Sequence, residues 1–293
     1  MGWGEFFALS SALTWALATV LMRRVGETLP AFELNLFKIC LGMLLVVPTI
    51  LVFGEPGLPT YSSSELIIVF ASGLIGIALA DTWYLQALNL MGAGRTGIVA
   101  SLFSPFVILL STVFLGERMI ATQWLGFFLV ISGVLLVTWR VNRHTVETQD
   151  IRKGATLGVS AIFMMALGIV MVKEILETRP FLWTVELRLA GGVAGMLFFI
   201  SAQSRWQSVK ENFRQPQPWG TVITASFLAS YLSLILWLAG YKLIDASVAS
   251  ILNQTNAAFI LLFAWLILGE HMGRRKLIGV SLTIVGVLIM FLI

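Results

Sequence analysis

Four ionisable side chains fall inside long apolar stretches of this chain: Lys38, Asp81, Glu186 and Arg188. A charge at hydrocarbon depth costs about 2.5 to 3.5 kcal/mol by insertion scales, so each points to solute binding, proton binding or an internal ion pair. For Lys38 and Arg188 the competing roles are contact with a solute and a structural part, either snorkelling or locking a helix. Asp81 could bind a proton, meet a cationic group or simply pair with Lys38.

Uncharged polar chemistry concentrates at Asn253, Gln254, Thr255 and Asn256. Amides in hydrocarbon must find partners, so this stretch faces other helices or a wet cavity. Asn253, Asn256 and Ile260 share one helical face, and Ser101 and Ser104 stand in the corresponding stretch of the first half. Pro105 would loosen backbone bonds there and is a candidate hinge. Among the aromatics, Trp15, Trp83, Tyr84, Tyr231 and Trp237 fall deep in apolar segments and could line a cavity for flat or charged solutes. Trp139, Trp183, Trp206 and Trp219 fall near segment ends, where belt residues sit. The candidate solute-contacting set is Trp15, Lys38, Asp81, Tyr84, Ser101, Arg188, Tyr231, Trp237, Asn253 and Asn256, with Asp81 also the candidate coupling residue.

Enzyme chemistry finds no support. The two histidines, His144 and His271, fall in loops, and Cys40 is the single cysteine. No metal set, activated nucleophile or phosphate loop can be assembled from them, so no cofactor is expected. A lone thiol also excludes an intramolecular disulfide.

The elements that position these residues follow from composition. Hydrophobic residues make up 58% of the 293 positions and charged residues 12%, against roughly 45 to 50% and about 25% in soluble domains. Ten apolar segments are each long enough to cross a bilayer as a helix, and the expectation is an all-α membrane protein with ten transmembrane helices. The first segment lacks a basic leader and a small-residue cleavage site, so it reads as a retained helix. With ten crossings, thirteen Lys and Arg residues fall in the loops of one side and four in those of the other. The positive-inside rule then puts the crowded side in the cytoplasm and both termini outside. The net charge of +4 needs no nucleic acid to explain it, because these cations suit anionic lipid headgroups.

The chain also repeats itself. Phe114 to Val137 aligns without a gap on Ile267 to Met290, identical at ten of 24 positions under an offset of 153, with Gly116, Glu117, Gly126 and Gly133 falling on Gly269, Glu270, Gly279 and Gly286. Near the start of each copy the offset becomes 149 to 150 and pairs Ala12 with Ala161 and Lys38 with Arg188. Five helices per copy is an odd number, so the second copy enters the membrane from the opposite face: residues 1–139 and 154–293 are inverted repeats, joined by the polar linker 140–153. Asp81 breaks the symmetry, because its counterpart is Leu234. The glycines seven apart in the fifth and tenth helices permit close approach and are expected to pack within one protomer. A monomer or a homodimer remains open.

The Gly-Glu pairs, Ala87 and Leu88 followed by Ala93 and Gly94, Trp15, and the basic residues Lys38 and Arg188 together resemble the drug/metabolite transporter superfamily, specifically its EamA-like ten-helix carriers. The family's arginine in the second helix is here Lys38, and its proline in the ninth is Ala258. The resemblance implies a cavity built by helices one to four and six to nine, with five and ten peripheral. It implies a secondary carrier of small metabolites such as amino acids in a bacterial inner membrane, working by alternating access as exporter or facilitator. A multidrug or organic-cation exporter coupled through Asp81 is the alternative within the family. A receptor or structural bundle is the alternative outside it.

Overall fold

The computed structural model describes residues 2–53, 59–115, 121–138, 146–244, 246–271 and 273–289. Gly116, Glu117, Trp139 and the first part of the linker lie outside them. Every regular element among the described residues is helical. In chain order they are α1 (Trp3–Val25), α2 (Ala31–Phe53), α3 (Ser63–Met91), α4 (Ala93–Ala100), α5 (Phe103–Leu115) and α6 (Ala121–Thr138). The second half follows with α7 (Val146–Thr178), α8 (Phe181–Ala202), α9 (Trp206–Arg214), α10 (Trp219–Leu243), α11 (Ala246–Leu268) and α12 (Arg274–Ile289).

Seven stretches meet the length and hydropathy of a membrane crossing outright, one of them spanning α4 and the first part of α5. With α6, α11 and α12 they make the ten crossings. Two details differ from the sequence reading. The sixth crossing is the far part of a 33-residue helix that begins at Val146, inside the segment read as linker. The loop before the eighth contains the short amphipathic helix α9, which buries Val209.

Local chemistry explains where the helices start and stop. Pro30 precedes α2 and Pro180 precedes α8 at an offset of 150, each at a position where a missing N–H costs no helical bond. At the start of α3 the Ser62 hydroxyl accepts the Glu65 N–H while the Glu65 carboxylate accepts the Ser62 N–H, a reciprocal cap. Gly92, at φ +81°, makes the turn that ends α3 and lets α4 begin one residue later.

Packing carries the imprint of the repeat. The first crossing, α1, lies against α10 and α11, and its counterpart α7 lies against α3 and the α4–α5 pair. Helix α2 packs on α8 and α10, and α8 packs on α2 and α3. Exchanging the halves thus maps these contacts onto one another, as a pseudo-two-fold axis requires. The axis extends to an irregularity: α3 widens to a π-helix over Leu74–Leu79 and α10 does so over Leu228–Leu232, which at the 153-residue offset falls on the last five residues of the first.

Helices α6 and α12 pack on each other beside the rest of the bundle through the four glycines. A Cβ at Gly133 would lie 2.7 Å from the Gly279 carbonyl oxygen, and one at Gly286 would lie 2.8 Å from that of Gly126. This contact is intramolecular. Gly286→Leu is expected to lower the midpoint of thermal unfolding in detergent, a cost of about 1 to 3 kcal/mol from forcing the backbones apart. Gly220→Ala, with nothing within 4 Å of the new methyl, serves as the control and should not lower it.

Candidate functional site

The site grows from α2. Lys38 sits seven residues into this helix and is 2% exposed, so its ammonium needs a partner inside the protein. It finds the carboxylate of Asp81, with which it forms a hydrogen-bonded ion pair. One turn earlier, Asn35 reaches the same neighbour. Its amide N–H groups donate to the carbonyls of Ile77 (3.0 Å) and Ala78 (3.2 Å) and to the Thr82 hydroxyl (2.9 Å). These carbonyls belong to the π segment, and that of Ala78 also accepts the Thr82 hydroxyl at 2.6 Å. Asn35 therefore holds α3 in the shape that brings Asp81 to Lys38.

Asp81 opens onto a cavity of about 140 Å³ at mid-depth between the halves. Helix α1 contributes Ser11 and Trp15, α3 contributes Gly76, Ile77, Asp81 and Tyr84, and the α4–α5 pair contributes Ala100 and Phe103. From the second half come Ile162 and Met165 of α7, Arg188 and Leu189 of α8, Asn253 and Asn256 of α11, and a stripe of α10 including Ser230, Ser233, Leu234 and Trp237. Among the described residues, none of α6 or α12 lines it.

Most of the lining positions are repeat counterparts. An offset of 153 carries Gly76 onto Ala229, Ile77 onto Ser230, Asp81 onto Leu234, Tyr84 onto Trp237, Ala100 onto Asn253 and Phe103 onto Asn256, and an offset of 150 carries Lys38 onto Arg188. The wall is symmetric in position and asymmetric in chemistry. Trp15 and Tyr84 pack with ring centroids 5.8 Å apart, and Phe103 and Trp237 at 6.0 Å. The Ser11 hydroxyl donates to Asn253 Oδ1 at 2.7 Å, Asn253 Nδ2 donates to the Ala249 carbonyl, and Ser233 donates to the Ser11 carbonyl. Asn256 Oδ1 is left without a protein partner.

Of the ten candidate contact residues, the structure brings eight to this cavity and leaves Ser101 and Tyr231 off it. Ser101 stands one residue out of register with the amides: the counterparts of Asn253 and Asn256 are Ala100 and Phe103, and a one-residue step on a helix turns the side chain by about 100°. Tyr231 turns toward α2, where its hydroxyl meets that of Thr49 at 2.6 Å, while its neighbour Ser230 faces the cavity. Pro105 is the third residue of α5, and the helix is interrupted at Ser101 and Leu102, the carbonyls that a regular helix at this proline would crowd. Ser11, Asn35, Ser230 and Ser233 carried no signal in the sequence, since small hydroxyls and a single asparagine are common in helices. Among the described residues no three His, Cys, Asp or Glu side chains gather as metal ligands.

Two polar links join the halves at opposite ends. At the end that carries the termini, Arg179 donates from Nε (2.7 Å) and Nη2 (3.0 Å) to the carboxylate of Glu65, adding an interhelical partner to the α3 cap. At the linker end the Glu270 carboxylate accepts the N–H groups of Ala93 (2.6 Å) and Gly94 (3.2 Å), capping α4 from across the halves, and is held by Lys276 Nζ at 2.9 Å. This gives the Gly-Glu motif a physical role in the second half: Gly269, at φ +65°, turns the chain so that Glu270 reaches α4.

The model of the EamA-like transporter family matches residues 2–139 and again 152–292. The chain belongs to this family. Among relatives, the "uncharacterized transporter YdfC" of Bacillus subtilis is 23% identical over 285 residues, covering 95% of this chain and 87% of that one. The "pseudopaline exporter CntI" of Pseudomonas aeruginosa is 29% identical over 135 residues, so the match spans 46% of each, about half the length of that relative. A solved crystal structure at 17% identity superposes with a TM-score of 0.66 over 99% of this chain and 96% of its own, which establishes the shared fold. This chain is a multi-pass membrane protein of a transporter family.

Two expected outcomes follow from the site. Asp81→Asn leaves a buried ammonium unpaired and should destabilise the protein by about 3 to 5 kcal/mol, whereas Lys38→Met combined with Asp81→Leu should restore most of that loss; thermal unfolding of the three variants in detergent measures both. Burial pushes the Glu270 carboxyl up, but the Lys276 ammonium and the two backbone N–H groups outweigh it and hold it below the ordinary glutamate value of 4.5. Its stabilisation is therefore complete above about pH 4.5 and is lost as pH falls through the depressed value. Glu270→Gln should lower the unfolding midpoint at pH 7, by an amount equivalent to about 1 to 3 kcal/mol, and the gap to the unmodified protein should shrink in acid.

Proposed function

We propose that this protein is a secondary carrier that moves small metabolites, amino acids or related solutes, across a bacterial inner membrane by alternating access, as an exporter or facilitator. The observation that carries the reading is the mid-depth cavity, walled by equivalent positions of both halves and holding the Lys38–Asp81 pair beside Arg188. Its volume is close to the roughly 150 Å³ in which an apolar protein cavity accommodates benzene, enough to seat one aromatic ring of a solute.

Alternating access is supported by an asymmetry of packing. Helices α2 and α3 are in contact around Asn35 and Lys38, while the equivalent pair, α8 and α10, barely touch among the described residues. A symmetric architecture caught in an asymmetric arrangement has a second arrangement available in which the halves exchange roles. In this reading Pro105 is a bending point and Asp81 the coupling group, whose protonation would free Lys38. The charge bias of the loops supports both termini facing outside.

The ionisable side chains at the wall weigh against an organic-cation exporter. Among the described residues of the wall, Lys38 and Arg188 supply two positive charges and Asp81 one negative, an excess of one cation, and that carboxylate is already engaged. The test is counterflow in proteoliposomes with labelled amino acids and aromatic cations. Uptake of amino acids that is lost in Lys38→Met and Arg188→Gln is the expected result. No solute movement in any mode would favour a receptor, and cation movement abolished by Asp81→Asn would favour the cation exporter. Repeating the assay across a pH gradient tests coupling.

A further inference from the structure

Arg188 is the one strongly buried charge at the cavity wall that lacks a dedicated counter-charge among the described residues. It is 3% exposed, and neither its Nε nor its Nη1 has a hydrogen-bond partner. A guanidinium carries five donors, and leaving them unmet away from water is costly, more so than for a neutral group. The protein fixes it there regardless: Gly73 brings the backbone of α3 against the Arg188 carbonyl, and the guanidinium Nη2 lies alongside Gly76 of the same helix.

The repeat explains why the partner is missing. Lys38 is the counterpart of Arg188, and Lys38 is neutralised by Asp81. The residue that corresponds to Asp81 on the other side of the cavity is Leu234, which also lines the wall. One copy of the pair is complete, and the other has kept its cation and replaced its acid by an apolar side chain. Asp81 lies within electrostatic range of Arg188 but its hydrogen bond is to Lys38. The acid that would complete the second pair has to enter with the solute.

We infer that Arg188 is the seat for a carboxylate carried by the transported solute. The inference rests on the carrier reading above and narrows its substrate class to small organic acids, amino acids included, in which the acid group is required and the amine is dispensable. The guanidinium offers a planar fork that matches a carboxylate. The excess of one positive charge favours an entering anion, and Trp15, Tyr84, Phe103 and Trp237 provide flat apolar surface for the remainder of the molecule.

Four probes separate the charges on one skeleton: 3-phenylpropionate, L-phenylalanine, L-phenylalanine methyl ester and 2-phenylethylamine. Binding to the purified full chain in detergent is read by calorimetry. The two acids are expected to bind and the ester and amine to be at least 10-fold weaker. Arg188→Gln should weaken the acids by about 10- to 150-fold, the range that a charged hydrogen bond sets, and Arg188→Lys should recover only part of it. Leu234→Asp tests the symmetry argument without touching the arginine: it supplies the internal acid and should weaken acid binding while leaving the fold intact by circular dichroism. Ester or amine binding as tight as the acids, no carboxylate-dependent binding at all, or acid binding unchanged in Leu234→Asp would each overturn the inference. Arg188-dependent binding of 3-phenylpropionate by protein that moves no solute in liposomes would sustain the carboxylate seat and sink the carrier reading instead.

Discussion

A polar group at mid-depth in a bilayer has no water to turn to, so its partners must come from the protein or from whatever enters the protein. Lys38 and Asp81 meet that constraint from within the protein, and the amide N–H groups of Asn35 donate to the Ile77 and Ala78 carbonyls of the π segment of α3. On the far side of the pseudo-two-fold axis Arg188 keeps two nitrogens without a hydrogen-bond partner, and the position equivalent to Asp81 is Leu234, which also lines the wall. The cavity is walled by one complete charge pair and by one cation whose pair is incomplete.

Much of the fold was legible in the residues because hydrocarbon imposes such blunt rules. Apolar length marked the crossings, and the offset of 153 residues exposed the duplication without any structure. The same offset placed Tyr84 on Trp237 and Asp81 on Leu234, and all four line the cavity. Legibility failed where one residue of register mattered. Ser101 was chosen for its hydroxyl, yet Ala100 carries the counterpart of Asn253, so symmetry was the better guide than polarity. Tyr231 shows a different limit. The π segments reset the helical face locally, and neither Leu74–Leu79 nor Leu228–Leu232 has a composition that announces a wide turn.

The Gly-Glu motif shows how a repeated pair can be read in the sequence while its role stays hidden. Its glycine needs a positive φ and its glutamate needs a helix start to cap, but that start, at Ala93, is 177 residues away and belongs to the other half. No local rule connects them. The Glu65–Arg179 link is similar: a capping box readable within four residues acquires a second function when a residue 114 positions later supplies its guanidinium. Both links join the halves near the ends of the crossings, where water can compete with them. They are polar clasps of moderate strength, suited to forming and breaking, in contrast to the glycine-to-backbone contact of α6 with α12, which has nothing to exchange with solvent.

Divergence after duplication then accounts for how one architecture hosts directional chemistry. Two identical halves would present two identical charge pairs, and a cavity between them would be neutral and indifferent to an ionic solute. Replacing one acid of a symmetric set by leucine keeps the backbone positions, the glycine contacts and the π segments while shifting the wall by one charge. The change is small in sequence and large in electrostatics, because a charge largely excluded from water is screened less over the few ångströms of the cavity than one at the surface. Fold and charge are therefore set by different residues here. The glycines and the paired π segments hold the two-fold frame, and the exceptions to the frame, Asp81 against Leu234 and Ala100 against Asn253, define what the cavity can receive.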